Sequence, residues 1–174
     1  MADKPQVLVA GGGFAGLETL FYLRHKLGDR VDLQLVSDRP KFLFKPNTIY
    51  IPFGESPDKF ELDLRRPLKK QSIDFIQGTV ESIDPANRTV HVARQDVGYD
   101  YLVVATGAKM RSREVPGLAE NAVTVWTPDD MLLLRSRFEW IKDRATQGIK
   151  SRVVFLVPPN NKCSGPLYEL LSML

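Results

Sequence analysis

Apolar residues along this chain keep two rhythms, and the change from one to the other predicts the elements. The run from Gln6 to Ala10 is continuously apolar after its first residue. Such a run fits a central parallel strand buried on both faces. Glycines 11, 12 and 13 follow. From about Gly13 to Leu27 the spacing becomes helical, with Leu17, Leu20, Phe21 and Leu23 expected on the inner face. Arg24, His25 and Lys26 fall in the last turn, where cations complement the helix dipole, and Gly28 is a natural stop. Val31 to Val36 reads as the next strand, completing a strand-helix-strand unit with the usual right-handed crossover.

The rhythm is then lost from Arg39 to Lys70, which carries Pro40, Pro46, Pro52, Pro57 and Pro67. A long irregular insertion in a compact domain is often functional. Ile73–Ile76, Thr79–Ile83 and Thr89–Val92 read as short strands, with Pro85-Ala86-Asn87 as the turn between the last two. Tyr99–Ala105 is a further apolar strand ended by Thr106-Gly107. Thr127-Pro128-Asp129-Asp130 is a strong helix start: Thr127 caps, Pro128 suits the first position, and the aspartates favour the positive end. That helix is expected to reach about Thr146. Arg152–Val157 reads as another strand, and Ser164-Gly165-Pro166 opens another helix. A strand-helix unit with no returning strand leads us to expect the amino-terminal part of a longer protein.

Between the first strand and helix the glycines are spaced Gly11-x-Gly13-x-x-Gly16. Gly11 permits a tight turn, Gly13 lets a pyrophosphate approach the backbone, and Gly16 lets the helix pack closely on the strand. The amides of Phe14, Ala15 and Gly16 at the helix start then offer N–H groups and partial positive charge to the phosphates. About 20 residues on, where an acidic side chain would bind ribose hydroxyls, stand Ser37 and Asp38. Asp38 is the first choice and Ser37 the second; an ordinary turn aspartate is the alternative. The fold class expected is α/β: a Rossmann-like domain with a parallel sheet and a small β-meander over residues 1–110. Residues 111–174 supply a linker helix and the start of a second Rossmann-like domain.

Composition narrows the function. With 174 residues and 43% apolar, the chain can bury a core without disulfide or metal staples. A formal charge of +3 is too small to argue for nucleic acid. The basic stretch Arg65-Arg66-Pro67-Leu68-Lys69-Lys70 is either a solvated face or a contact for anionic lipid or substrate. One cysteine, Cys163, and two histidines make no familiar zinc spacing, so no metal is expected. No apolar run approaches the roughly 20 residues of a membrane span, and no signal peptide is visible. A cytoplasmic protein is expected.

The runs VLVAGGGFAGLETL, VPGL and YDYLVVATGA resemble the pyridine nucleotide-disulfide oxidoreductase superfamily over nearly the whole chain. The resemblance implies that the first glycine loop binds FAD and that Ala105-Thr106-Gly107 brings the chain back beside it, with a backbone contact near Val80 to the adenine end. From the residues alone, Gly107 is either a close-approach glycine or a plain strand-end turn. More narrowly, LVSDRPKFLFKPNTIYIPFG and KCSGPLYE look like segments of sulfide:quinone oxidoreductases, and KCSGPLYE also like the flavin subunit of flavocytochrome c sulfide dehydrogenase. This adds Lys45 and Pro46 as cofactor contacts, sulfide and quinone as partners, and peripheral contact with the inner face of the cell membrane through a carboxy-terminal half.

NADH-using relatives carry a second glycine loop where this chain has Pro158-Pro159-Asn160-Asn161-Lys162-Cys163-Ser164-Gly165. The prolines remove N–H donors and the side chains obstruct a pyrophosphate, so weak or absent NADH binding is expected there. Cys163 precedes a helix and follows Lys162; both favour a reactive thiolate, the alternative being a buried structural cysteine. The resemblance gives Glu169 a proton relay to quinone; plain complementation of the helix dipole is the alternative. No cysteine precedes Cys163, which argues against covalent flavin attachment; the resemblance implies a partner cysteine, in the carboxy-terminal half. The leading expectation is electron transfer from sulfide through Cys163 to FAD and quinone, with the chain alone inactive. A type II NADH:quinone oxidoreductase and a non-catalytic FAD-binding fragment are the alternatives.

Overall fold

The computed structural model describes residues 4–93, 95–157 and 163–174. The chain divides into two compact units: Met1–Leu43 with Glu61–Ala108, and Phe44–Phe60 with Lys109–Leu174.

The first unit contains β1 (Gln6–Ala10), α1 (Phe14–Leu27), β2 (Asp32–Ser37), β3 (Lys41–Leu43), β4 (Glu61–Asp63) and α2 (Arg65–Lys70). It continues with β5 (Ile73–Gln77), β6 (Val80–Asp84), β7 (Thr89–Val92), β8 (Gln95–Gly98) and β9 (Tyr101–Val104). A parallel sheet of order β5-β2-β1-β9 forms its centre, with β6-β7-β8 as an antiparallel meander and β3-β4 as a two-stranded ribbon. The apolar run of β1 divides by alternation, as a strand covered on both faces must. Val7 and Val9 pack with Leu17 and Leu20 of α1, Leu33 and Leu35 of β2, and Leu64 and Leu68. Leu8 joins Val36 and the meander's Val90, Val92 and Val97 on the opposite face. Leu20, Leu35 and Leu68 are fully buried, each contributing about 1.5–3 kcal/mol over an exposed position. At the end of α1, Gly28 has φ 57° and its N–H bonds the Arg24 carbonyl. The Arg24 guanidinium donates to the carbonyls of Gly28 at 2.6 Å and Ser72 at 2.7 Å, tying the helix end to the approach of β5.

Several expectations are corrected in this unit. Phe21 lies on the outer face of α1 and not in the core. The irregular stretch from 39 to 70 is organised: β3 and β4 pair across it, and α2 buries Leu68 while Arg65, Arg66, Lys69 and Lys70 stay exposed. That arrangement fits a solvated basic face. The strand β8 has a polar sequence, QDVG, and forms because it pairs with β7 and buries Val97.

The second unit is helical. A 3-10 helix, Lys45–Phe53, is followed by the 3-10 turns Pro57–Phe60 and Ser112–Glu114, then α3 (Leu118–Asn121), α4 (Pro128–Thr146) and α5 (Gly165–Met173). Ile49, Ile51, Phe60, Met131, Phe138 and Leu170 are its buried apolar residues. Arg135 of α4 donates from Nε to the Ile51 carbonyl at 2.7 Å and from Nη2 to the Glu55 carbonyl, holding the 3-10 helix against α4. The expected strand at 152–157 is absent: residues 151–157 form no strand, and Val154 is 76% exposed. An apolar run becomes a strand only when neighbours take up its amides and carbonyls, and these residues pair with none of the described strands. Among the described residues no helix is long and apolar enough to cross a membrane.

The start of α4 is a capping box. Asp130 N–H donates to Thr127 Oγ1 at 3.1 Å, and Thr127 N–H donates to Asp130 Oδ2 at 2.9 Å. Thr124 Oγ1 adds a donor to the same carboxylate oxygen at 2.6 Å. Partial burial acts to raise the Asp130 carboxyl, but the bonds from Thr124 and Thr127 outweigh it and hold the group below its ordinary 3.8. A depressed carboxyl adds stability only while ionised. Its contribution is complete above the unfolded-state value and is lost as pH falls through the lower folded one. Asp130→Asn is therefore expected to be less stable than the parent chain at neutral pH, with the gap closing below about pH 4. Urea unfolding at neutral pH and near pH 3 measures this; an equal gap at both contradicts it.

Candidate functional site

The glycine loop lies where β1 ends, between β2 and β9, at the carboxyl edge of the parallel sheet. This is the switch point at which open α/β sheets receive ligands. Gly11 N–H donates to the Val36 carbonyl at 2.8 Å, and Ala105 N–H donates to the Ala10 carbonyl at 2.8 Å. Both neighbouring strands therefore grip the loop's first turn. Gly11 has φ 117°, and a Cβ there would lie 2.2 Å from the Ala105 carbonyl oxygen and 2.9 Å from Thr106 N. A Cβ on Gly16 would stand 1.9 Å from the Gly11 carbonyl oxygen, so α1 nests on the loop only because that position is glycine. Gly13 is the opposite case: no atom lies within 4 Å of where its Cβ would be. Its side-chain direction opens onto free space at the start of α1.

Electrostatics at that opening favour an anion. Gly13 caps α1 without a side-chain hydrogen bond, and the first turn of the helix carries no acidic residue. Phe14 and Ala15 are exposed there, and the Phe14 ring meets Phe42 edge-on with centroids 4.9 Å apart. Ser37, 6% exposed, closes β2 beneath the loop; a Cβ on Gly12 would fall 2.8 Å from its Oγ. Asp38 follows with its side chain 62% exposed and its carboxylate 3.8 Å from Arg39 Nε. Thr106 and Gly107 are exposed just beyond β9, and Gly107 has φ 78°. Thus Gly11, Gly13, Phe14, Ala15, Gly16, Ser37, Ala105 and Thr106 come together around one turn. Val80 sits apart, at the start of β6, packed on the meander side of the sheet.

The remaining candidates belong to the second unit. Lys45 and Pro46 open the 3-10 helix, and Lys45 Nζ lies over the Trp126 ring, 2.9 Å from its centroid. Cys163 is exposed immediately before α5, which disfavours the buried structural alternative. Ser164 caps α5 without a side-chain hydrogen bond, and the helix has no acidic residue in its first turn. Glu169 Oε1 accepts a hydrogen bond from the Tyr50 hydroxyl at 3.3 Å. The segment Pro158 to Lys162, including the lysine beside Cys163, lies outside the described residues.

The pattern of the pyridine nucleotide-disulphide oxidoreductases matches residues 5–144. The chain belongs to this family. Among its relatives is the sulfide-quinone reductase of Aquifex aeolicus, 36% identical over 173 residues, covering 97% of this chain and 38% of that protein. The crystal structure of the sulfide:quinone oxidoreductase from the same bacterium superposes with a TM-score of 0.73 at 32% identity, over 80% of this chain and 32% of that one. An external alternative NAD(P)H-ubiquinone oxidoreductase, B4, of Arabidopsis thaliana mitochondria is 28% identical over 144 residues, covering 76% of this chain and 24% of that protein. The chain thus spans well under half the length of these relatives.

FAD is the cofactor of this flavin oxidoreductase family, and the first glycine loop fits it. The open position at Gly13, the uncapped helix start and the tight turn at Gly11 are what a diphosphate requires. Three neighbours escaped the sequence reading. Gly12 could have been found, since it sits inside the glycine run. Tyr50 on Glu169 and Trp126 on Lys45 carried no signal, because each pair joins residues far apart in the chain.

Proposed function

We propose that the chain is the flavin-binding amino-terminal part of an FAD-dependent oxidoreductase that carries electrons from sulfide to quinone. The observation that carries this reading is the likeness to a sulfide-quinone reductase across 97% of the chain, with an exposed cysteine ahead of α5. Backbone amides of Gly13, Phe14 and Ala15 hold the FAD diphosphate, and Gly11 and Gly16 keep the turn tight enough for that approach. Asp38 and Ser37 take the ribose hydroxyls. Ala105, Thr106 and Gly107 complete the contacts at the loop, with Val80 on the adenine side. FAD, when bound, accepts an electron pair from a donor and passes it to an acceptor.

The protein's own part in the chemistry centres on Cys163. Cys163, exposed ahead of α5, takes up the sulfur of hydrosulfide as a persulfide, the S–S bond forming as an electron pair leaves the sulfur. In sum, a Cys163 thiolate, HS−, a quinone and one proton give the persulfide anion and a quinol. Two electrons leave the sulfur and reach the quinone. Glu169 supplies a proton on the quinone side.

The test compares donors in the full-length protein under anaerobic conditions. Sulfide is expected to bleach the flavin absorbance and NADH to leave it unchanged. Rapid bleaching by NADH alone would overturn the assignment in favour of NADH:quinone oxidoreduction.

A further inference from the structure

The Tyr50–Glu169 contact joins residues 119 positions apart, and the fold fixes both ends of it. Tyr50 lies in the 3-10 helix Lys45–Phe53 between Ile49 and Ile51, both buried, so its backbone is held on either side. Arg135 binds the Ile51 carbonyl, and Gly54 N–H turns back onto the carbonyls of Ile51 and Tyr50. Glu169 precedes Leu170, which is fully buried and locks that turn of α5. An exposed glutamate otherwise spreads over many rotamers, and reaching one reactive geometry costs conformational entropy. A phenol held by the scaffold removes part of that cost by giving one carboxyl oxygen a fixed partner.

We infer that Tyr50 is a positioning residue for Glu169, holding its carboxyl group in the geometry from which it protonates the acceptor. The inference rests on the proton-relay role proposed for Glu169. In that step one proton leaves the Glu169 carboxyl for a quinone oxygen as the electron pair arrives, the second quinol proton comes from solvent, and a further solvent proton restores the carboxyl. Tyr50 keeps its own proton throughout. It acts on the turnover step and not on quinone binding, because the phenol bonds the carboxylate and the ring remains in Tyr50→Phe.

The experiment is a double-mutant cycle in the full-length protein, following quinone reduction with whichever donor reduces the flavin. Failure of the sulfide assignment then shows in the donor, and failure of this inference in the cycle. Tyr50→Phe is expected to lower kcat about tenfold, leave the quinone KM within about twofold, and retain the flavin. In a Glu169→Gln background the same change is expected to have no further effect. Should Tyr50→Phe not retain flavin, Glu169→Asp withdraws the carboxylate from the phenol by one methylene and is expected to show the same kcat loss at constant KM. Wild-type kcat in Tyr50→Phe or in Glu169→Gln, a loss carried by KM, or independent effects of the two changes would overturn the inference.

Discussion

A Gly11→Ala variant is expected to lose about 2–5 kcal/mol of folding stability, and FAD binding with it. Two costs combine. The positive φ of 117° is one that side chains other than glycine rarely adopt. The added methyl group would also stand 2.2 Å from the Ala105 carbonyl oxygen, a backbone atom that cannot rotate away. Relief requires β9 to part from β1, and β1 lies at the middle of the sheet with both faces covered. Urea unfolding measures the loss. A variant as stable as the parent would show that the turn is not built against Ala105. A methyl group on Gly16 would stand 1.9 Å from the Gly11 carbonyl oxygen, so Gly16→Ala is expected to behave alike.

The second large effect is on chemistry. Cys163→Ser is expected to slow sulfide-driven flavin reduction by about 1,000-fold or more, in the range seen when an activated nucleophile is removed. Serine keeps the shape but offers an alcohol that stays protonated at neutral pH, and it cannot carry a persulfide. Serine differs from cysteine by one atom at an exposed position, so flavin content is expected to stay at the parent level. Stopped-flow absorbance after mixing with sulfide gives the rate. Undiminished reduction in the variant removes the sulfur mechanism and leaves the NADH route standing.

Local chemistry was legible in the sequence and pairing was not. The β1 run, the three glycines and the Thr127-Pro128 helix start each specify their structure through neighbours a few residues away. All appear within a residue or two of expectation. The glycine spacing also matches the space at each position: Gly11 and Gly16 are crowded and Gly13 is open. β3 and β4 escaped because each is three residues long and exists through a partner about 20 positions off. β8 is polar and relies on β7. The segment 152–157 errs the other way: its composition suits a strand, but a strand needs a neighbour. Asp38 against Ser37 also turned on one residue of strand length, since β2 ends at Ser37.

FAD binding is expected to depend most on the opening at Gly13, the route by which a diphosphate would reach the first amides of α1. FAD titration of the parent chain and of Gly13→Val, with thermal unfolding of each apo form, tests it directly. With nothing within 4 Å of that Cβ, the variant is expected to melt within a few degrees of the parent while binding FAD at least about 100-fold more weakly. Equal FAD affinity in the two proteins would contradict the claim that the diphosphate enters there.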